Sequence, residues 1–256
     1  MPSPVLRSDA GRVRTLTLNR PEARNAIDPG LLAALQAELA AAHSEDVGCV
    51  VLAGAGQAFS AGGDIHQMRA LQQDPTQAIP ILRRALAATV EALRASDAPV
   101  LAKVHGDCVG AGLGLALACD LVYASEAARF GAPFAALGLV PDTALTHELP
   151  RRIGMHRAKE LALTSKLLDA RTALAWGLVN EVAAPEGLDA AVGQVATRLA
   201  AMPTRALGEA KRALHRGAEA GVAAALAGEA YTQAVRFASP EHAAGVEAFL
   251  KKGQNR

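Results

Sequence analysis

The sequence predicts an α/β fold that continues into a helical carboxyl-terminal region. Short β-like runs alternate with periodic apolar segments, and glycine-rich corners follow two of the predicted strands. From about Leu188 onward the apolar pattern is helical only. Apolar residues make up 51% of the 256 residues and aromatic residues only 3%, so the core must be packed mainly with Ala, Leu and Val. We therefore divide the chain into an α/β core at 1–187 and a helical region at 188–256.

The composition excludes several classes of protein. A formal net charge of +1 gives no electrostatic reason to expect nucleic acid or a membrane surface as a partner. The three cysteines are odd in number and lie in apolar surroundings, which favours reduced thiols over a disulfide framework. We see neither a signal-peptide pattern at the amino terminus nor an apolar run long enough to cross a bilayer. These observations predict a soluble, cytoplasmic protein.

Local signals set the elements of the first half. Gly11 marks a turn between two short strands within 4–19, and Asp28 followed by Pro29 is typical of an N-cap and first helical residue. In order, the predicted elements are the strands within 4–19, a helix from Pro29 to about His43, a strand at 47–54 and a helix from about Thr76 to Ala95.

The second half repeats the alternation before it becomes helical. The predicted elements are a strand at 98–104, a buried helix after the glycines that follow it, strands at 121–125 and 127–133, helices at 142–150, 155–164 and 171–176, and a last strand at 180–183. Pro203 and Gly217 are predicted to interrupt the carboxyl-terminal helices.

Two glycine-rich corners, at 55–65 and 104–120, lead from strands into helices. Glycines there let backbone N–H groups at a helix N-terminus approach a phosphate or an oxygen that becomes anionic during a reaction. Two such donors aimed at one carbonyl oxygen contribute on the order of 3–4 kcal/mol each in a transition state. Either corner alone is better explained as a tight turn that allows close helix packing. Their occurrence together favours catalysis.

Other sites that use glycine or histidine are not indicated. Neither corner has the spacing of a dinucleotide fingerprint, and no G-K-[ST] phosphate loop is present. Ser60 lacks the preceding glycine of a nucleophile elbow. The seven histidines show no metal-ligand spacing, so we predict no metal site.

Six motifs in order give the chain a resemblance to the enoyl-CoA hydratase/isomerase family, also called the crotonase superfamily. Within it, the motifs are most similar to those of epoxyphenylacetyl-CoA isomerases of phenylacetate degradation and of enoyl-CoA isomerases. The matching segments, which include T-L-N-R-P-E-A-R-N-A-I-D and V-H-G-D-C-V-G-A-G-L-G-L-A-L-A-C-D, are residues 17–28, 52–65, 104–120, 130–142, 149–154 and 169–180.

The resemblance implies a spiral of β-β-α units and a helical carboxyl-terminal trimerisation region. It also implies a homotrimer or a dimer of trimers that binds an acyl-CoA substrate, with no cofactor other than the coenzyme A of that substrate. The family's two oxyanion donors fall on the backbone N–H groups of Gly63 and Ala111. Its coenzyme A contacts fall, largely through backbone groups, on Ala23, Ala61, Asp64 and Ile65. Arg24 is the candidate for a coenzyme A phosphate, and a solvated surface arginine is the comparable alternative.

The sequence departs from the family's hydratases at both of their glutamates. Gly114 and Phe134 occupy those two positions, so the carboxylates that orient water and protonate carbon are absent. The resemblance to family isomerases places a catalytic aspartate at Asp142, and the alternative is that Asp142 caps the helix after it. Phe134 would then form a wall of the acyl pocket. We expect His147 and Glu148 on the surface of the helix.

These expectations favour an acyl-CoA isomerase that shifts a double bond or rearranges a ring epoxide. The first alternative is an enoyl-CoA hydratase of fatty-acid or aromatic-acid degradation that works through other residues. The second is a family member that binds acyl-CoA without catalysis, which the loss of both glutamates permits.

Overall fold

A computed structural model describes residues 2–254 of the chain, with side chains as far as residue 251. The strands in this part are β1 (Val5–Ala10), β2 (Val13–Leu18), β3 (Cys49–Gly54), β4 (Val100–Val104), β5 (Asp107–Val109), β6 (Leu121–Ser125), β7 (Arg129–Gly131), β8 (Leu167–Asp169) and β9 (Glu181–Ala183). The helices are α1 (Pro29–Ser44), α2 (Ile65–Gln73), α3 (Ala78–Pro80), α4 (Ala87–Ala95), α5 (Ala111–Ala118), α6 (Leu145–Thr164), α7 (Ala170–Trp176), α8 (Leu188–Ala200), α9 (Thr204–Glu219), α10 (Val222–Phe237) and α11 (Pro240–Gln254).

The larger sheet has the strand order β1-β2-β3-β4-β6-β9. β1 and β2 form an antiparallel hairpin, and Gly11 lies in its turn with φ +58°. The remaining neighbours are parallel, so the chain crosses over between them through helices such as α1 and α4. This confirms the predicted α/β layering.

A smaller sheet, β5-β7-β8, branches from the larger one. The chain leaves β4 and enters β5 after a bend at Gly106, where φ is +56° and an added Cβ would collide with the carbonyl oxygen of Gln57. The bend requires glycine, and it directs β5 into the smaller sheet before α5 begins. The repeated strand, strand and helix form the spiral of β-β-α units that the resemblance implied.

Both faces of the inner strands of the larger sheet are buried. On β3, Val50 and Leu52 face the main core formed with α1, α4, α5 and α6, while Cys49 and Val51 face the opposite side. α8 covers that opposite side with buried apolar side chains. The first helix of the region predicted at 188–256 therefore packs directly on the sheet, and α9, α10 and α11 follow it.

Three details differ from the sequence predictions. Gly217 does not interrupt a helix, because α9 continues through it and the chain breaks at Ala220 and Gly221. The segment predicted as one helix from Thr76 to Ala95 is helical but irregular, with π-type hydrogen bonding at Ile81–Leu86. α6 begins at Leu145 rather than at 142, and a non-helical Gly154 (φ +76°) divides it near the predicted gap.

The structure also shows the state of the three cysteines and the apolar character of the helices. Cys49, Cys108 and Cys119 are buried free thiols, and burial raises the pKa of each. Among residues 2–254, no helix has the length and apolar character needed to cross a membrane.

Candidate active site

The first glycine corner is held in place by a buried asparagine. Asn25 is in the left-handed conformation with φ +54°, which asparagine tolerates better than most residues. Its Nδ2 donates to the carbonyl oxygens of Ala55 and Ala58, each at 2.8 Å. Ser60 Oγ donates to the carbonyl oxygen of Asn25 at 2.8 Å and accepts from Gly62 N at 3.2 Å. The corner is therefore fixed by buried polar contacts rather than by its glycines alone.

Asp64 ends this corner by capping α2. Its Oδ1 accepts hydrogen bonds from the N–H groups of His66 at 2.9 Å and Gln67 at 3.3 Å, and its Oδ2 lies 2.8 Å from Arg20 Nη2. Burial raises the pKa of Asp64, but the bonds from Arg20 and the helix N–H groups outweigh burial and hold the pKa below its usual value. The side chain thus has a structural role in addition to the coenzyme A contact predicted for this residue.

The second corner is joined to the first through β5. Ser60 N donates to the carbonyl oxygen of Asp107 at 3.0 Å, and Val109 N donates to the carbonyl oxygen of Ser60 at 3.1 Å. Gly110 then turns the chain with φ +56°, and α5 begins at Ala111. A Cβ added to Gly62 would lie 3.5 Å from Ala111 N. The structure therefore brings the two predicted corners into contact.

The two predicted oxyanion donors are both available at this contact. Within residues 2–254, neither Gly63 N nor Ala111 N donates to a protein acceptor. Ala111 is the first residue of α5, where the helix dipole also favours negative charge. Unpaired N–H groups from two adjoining corners can bind a carbonyl oxygen that becomes anionic.

Apolar side chains border these donors. A Cβ added to Gly63 would lie 2.5 Å from Met68 Cε, and one added to Gly110 would lie 3.9 Å from Phe134 Cζ. Phe134 is buried, and its role as a wall of the acyl pocket stays a prediction. Sequence reasoning missed Met68, which lies one turn into α2.

Asp142 lies in the loop before α6 and does not cap that helix. The residue at the N-cap position is Ala144, and α6 receives no capping bond from a side chain there. The carbonyl oxygen of Asp142, rather than its carboxylate, accepts from Leu145 N at 2.9 Å. The carboxylate Oδ1 accepts from Thr143 Oγ1 at 2.7 Å. The alternative assignment of Asp142 as a helix N-cap is therefore wrong.

The environment of Asp142 shifts the pKa of its carboxyl upward. Burial raises the pKa of its carboxyl above the usual value, and the hydrogen bond from Thr143 opposes this only in part. A carboxyl with a raised pKa is a better base than an exposed one, as proton transfer at carbon requires.

The neighbouring Thr143 connects Asp142 to α5. A Cβ added to Gly114 would lie only 2.6 Å from Thr143 Cγ2 and 2.7 Å from Thr143 O. Gly114 is one helical turn beyond Ala111, so its face lies about 5–6 Å from the oxyanion donor. Thr143, the residue directly after Asp142, therefore packs on α5 at Gly114, the position of one hydratase glutamate.

Glu148 corrects one prediction. It is buried rather than on the helix surface, and it pairs with Arg94 on α4 and with Arg152 on α6, each at 3.1 Å. Arg152 Nη2 also donates to Leu117 O, near the end of α5, at 2.8 Å. Its neighbour His147 is partly exposed. The helical spacing of Leu145, Glu148 and Arg152 is the signal that could have placed Glu148 on the buried face.

The predicted coenzyme A contacts lie along the rim of the first corner. Arg24 has φ +49°, its carbonyl oxygen accepts from Ala61 N at 2.9 Å, and its exposed guanidinium lies 3.6 Å from Asp107. Ile65 is exposed, and Ala23 lies directly before Arg24. In the part of the chain with described side chains, no three His, Cys, Asp or Glu residues cluster as metal ligands.

Comparison with known proteins shows the family and the fold. The profile of the enoyl-CoA hydratase/isomerase family matches residues 9–256. The 1,2-epoxyphenylacetyl-CoA isomerase of Escherichia coli is 37% identical over 245 residues, which cover 94% of this chain and 92% of that protein. The 2,3-dehydroadipyl-CoA hydratase of Escherichia coli is 36% identical over 251 residues, covering 98% and 96%. The crystal structure of an enoyl-CoA hydratase of Mycobacterium smegmatis superposes with a TM-score of 0.91 at 35% identity, covering 97% of this chain and 96% of that one.

Proposed function

Because this chain belongs to the enoyl-CoA hydratase/isomerase family, we propose that it is an acyl-CoA isomerase with Asp142 as its acid/base. The observation that carries the proposal is the half-buried carboxyl of Asp142, whose neighbour Thr143 packs on α5. In this sequence Gly114 and Phe134 replace both hydratase glutamates. The substrate would be a CoA thioester with a movable double bond or a ring epoxide.

The proposed chemistry needs one proton-transfer group. The thioester oxygen would accept hydrogen bonds from Gly63 N and Ala111 N, which stabilise the enolate formed when a proton leaves carbon. Asp142 would remove that proton and return it to another carbon, which moves the double bond. Net isomerisation consumes no water, so a second carboxylate is not required.

Coenzyme A would bind along the rim of the first corner. We assign this contact to two short segments, which the hydrogen bond from Ala61 N to Arg24 O joins. Their contacting residues are Ala23, Arg24, Ala61, Asp64 and Ile65. The exposed guanidinium of Arg24 is suited to bind a phosphate of coenzyme A. The exposed side chain of Ile65 is suited to contact an apolar part of coenzyme A. Proton transfer by this route needs no metal or redox cofactor.

The second candidate function is enoyl-CoA hydration. The similarity to the 2,3-dehydroadipyl-CoA hydratase of Escherichia coli favours it. The replacement of both glutamates opposes it, because water must be both oriented and deprotonated.

Self-association would accompany this function, as a homotrimer or a dimer of trimers. Large apolar side chains on α9, α10 and α11 are more than half exposed in the single chain, which favours their burial by other copies. They are Leu214, Val222, Leu226, Tyr231, Val235, Phe237, Phe249 and Leu250. Sedimentation equilibrium that gives a monomer at micromolar concentration would contradict this assembly.

The test measures the turnover of three substrates by wild type and by two variants. A 3-enoyl-CoA, a 2-enoyl-CoA and the epoxide of phenylacetyl-CoA are each incubated with wild type and with Asp142→Asn, and products are separated by chromatography. We expect turnover of the 3-enoyl-CoA or the epoxide and a loss of about 10²–10⁴-fold in Asp142→Asn. Glu186→Gln, which removes an exposed carboxylate, is the control and should keep full activity.

Each other outcome has a definite meaning. Unchanged turnover in Asp142→Asn would refute the proposed mechanism. Water addition to the 2-enoyl-CoA at a comparable rate would support the hydratase. Binding of every thioester without turnover would support the non-catalytic alternative.

A further inference from the structure

We propose that Thr143 is a positioning residue that holds the carboxylate of Asp142 in its reactive orientation. The proposal rests on the proposed acid/base role of Asp142. It follows from the backbone conformation of Thr143, from its packing on α5 and from its one side-chain hydrogen bond.

The backbone of Thr143 is strained. Its φ is +50°, in the left-handed region that β-branched residues rarely adopt, and the next residue, Ala144, has φ +61°. No glycine relieves either position. Such a conformation persists only when the surroundings hold it, and it occurs most often at functional sites.

Packing against α5 holds this conformation. Thr143 is buried, and its Cγ2 and carbonyl oxygen occupy the space that a Cβ on Gly114 would need. On the other side, Leu145 N donates to the carbonyl oxygen of Asp142 at 2.9 Å and closes the turn. The threonine is thus fixed between α5 and the start of α6.

The fixed hydroxyl selects one oxygen of the carboxylate. Thr143 Oγ1 donates to Asp142 Oδ1 at 2.7 Å. Among residues 2–251, this is the one hydrogen bond that the carboxylate receives from another residue, and no cationic side chain pairs with it. In this proposal Oδ2 is the oxygen that acts on the substrate. A bond to the charged form also offsets part of the rise in the pKa of Asp142 that burial causes.

Two substitutions separate the hydroxyl from the shape of the side chain. Thr143→Val keeps the β-branch and loses the donor, whereas Thr143→Ser keeps the donor and loses the methyl group. With the 3-enoyl-CoA or the epoxide, whichever wild type turns over, we expect Thr143→Val to lower kcat by about tenfold with little change in KM. The acid limb of its kcat profile should move to higher pH by on the order of one unit. Thr143→Ser should restore most of kcat and the wild-type profile.

A second measurement does not depend on turnover. The Asp142 carboxyl is titrated by carbon-13 NMR in protein labelled at aspartate, with Asp142→Asn to assign its signal. The pKa should rise in Thr143→Val and stay near the wild-type value in Thr143→Ser. If the valine variant does not fold, as judged by circular dichroism, Thr143→Ala replaces it, because alanine also lacks the donor.

The outcomes distinguish this proposal from the function beneath it. If Asp142→Asn destroys activity but Thr143→Val keeps both kcat and its pH profile, Thr143 has no positioning role and the isomerase proposal stands. Equal defects in the serine and valine variants would show that shape, not the hydroxyl, matters, and would overturn the proposal. If Asp142→Asn leaves turnover unchanged, the proposed function itself fails.

Discussion

Gly114→Ala should destabilise the protein, although glycine to alanine inside a helix usually stabilises by about 0.5–1 kcal/mol. Its new methyl group would lie 2.6 Å from Thr143 Cγ2 and 2.7 Å from Thr143 O. Carbon atoms pack at about 3.5–4.0 Å, so the loop or α5 must move by close to 1 Å. Overpacking of this kind costs about 1–3 kcal/mol. After the usual gain from alanine is subtracted, we expect a net loss of about 1 kcal/mol.

The assay is urea unfolding followed by circular dichroism, with Gly193→Ala as the matched control. Gly193 lies on the exposed side of α8, where an added Cβ meets nothing within 4 Å. The control should gain about 0.5–1 kcal/mol, so the two alanine variants should change stability in opposite directions. A gain in Gly114→Ala equal to that of the control would refute the packing described here. Hydratase activity in Gly114→Glu would refute it as well, because a longer side chain has still less room.

Three further substitutions should have measurable effects. Burial raises the pKa of Asp142, so its charged form opposes folding at neutral pH. In urea unfolding at pH 7, Asp142→Asn should therefore be more stable than wild type. This difference in stability should disappear below the ordinary carboxyl pKa of 3.8, where the carboxyl is protonated in both the folded and the unfolded state. A difference in unfolding free energy between wild type and Asp142→Asn that stays constant with pH would contradict the raised pKa of Asp142. Asn25→Ala removes the donor to two buried carbonyl oxygens and should lower stability by about 3 kcal/mol, seen as a lower Tm. Arg94→Ala leaves Glu148 with one arginine and should lower the free energy of unfolding by about 2–3 kcal/mol. Lys103→Ala, the control, breaks an ion pair with the exposed Asp189 and should lower it by less than about 1 kcal/mol. Equal losses in the two variants would argue against a stabilising buried pair.

The parts of the fold that local chemistry determines could be predicted from the sequence. Asp28 accepts a hydrogen bond from Leu31 N at 2.7 Å, and Pro29 is the first residue of α1, as the N-cap pattern indicated. The glycine corners were also recognisable, because positive φ values at Gly62 and Gly110 have few other solutions. These features depend on residues close together in sequence.

The parts that failed depend on distant residues or on strain. The helical spacing places Glu148 on the buried face, but a carboxylate is buried only when it is paired. Its partner Arg94 is 54 positions away, so the pairing could not be predicted from the local sequence. Asp142 resembled an N-cap because residues 143 and 144 are Thr and Ala, which do not suggest left-handed backbone. The roles of the site residues stay predictions that the proposed experiments test.

Cys108 gives this site an internal probe of its own opening. Its thiol lies in β5, paired across from Ser60, at the seam between the two glycine corners. Burial raises its pKa, so a disulfide reagent can modify it only when the seam separates transiently. Cys49 lies on the far side of the larger sheet and reports a different region. If Cys108 is labelled faster than Cys49, the two glycine corners open locally without global unfolding. The difference between the two labelling rates then measures the free energy of that local opening in the substrate-free protein.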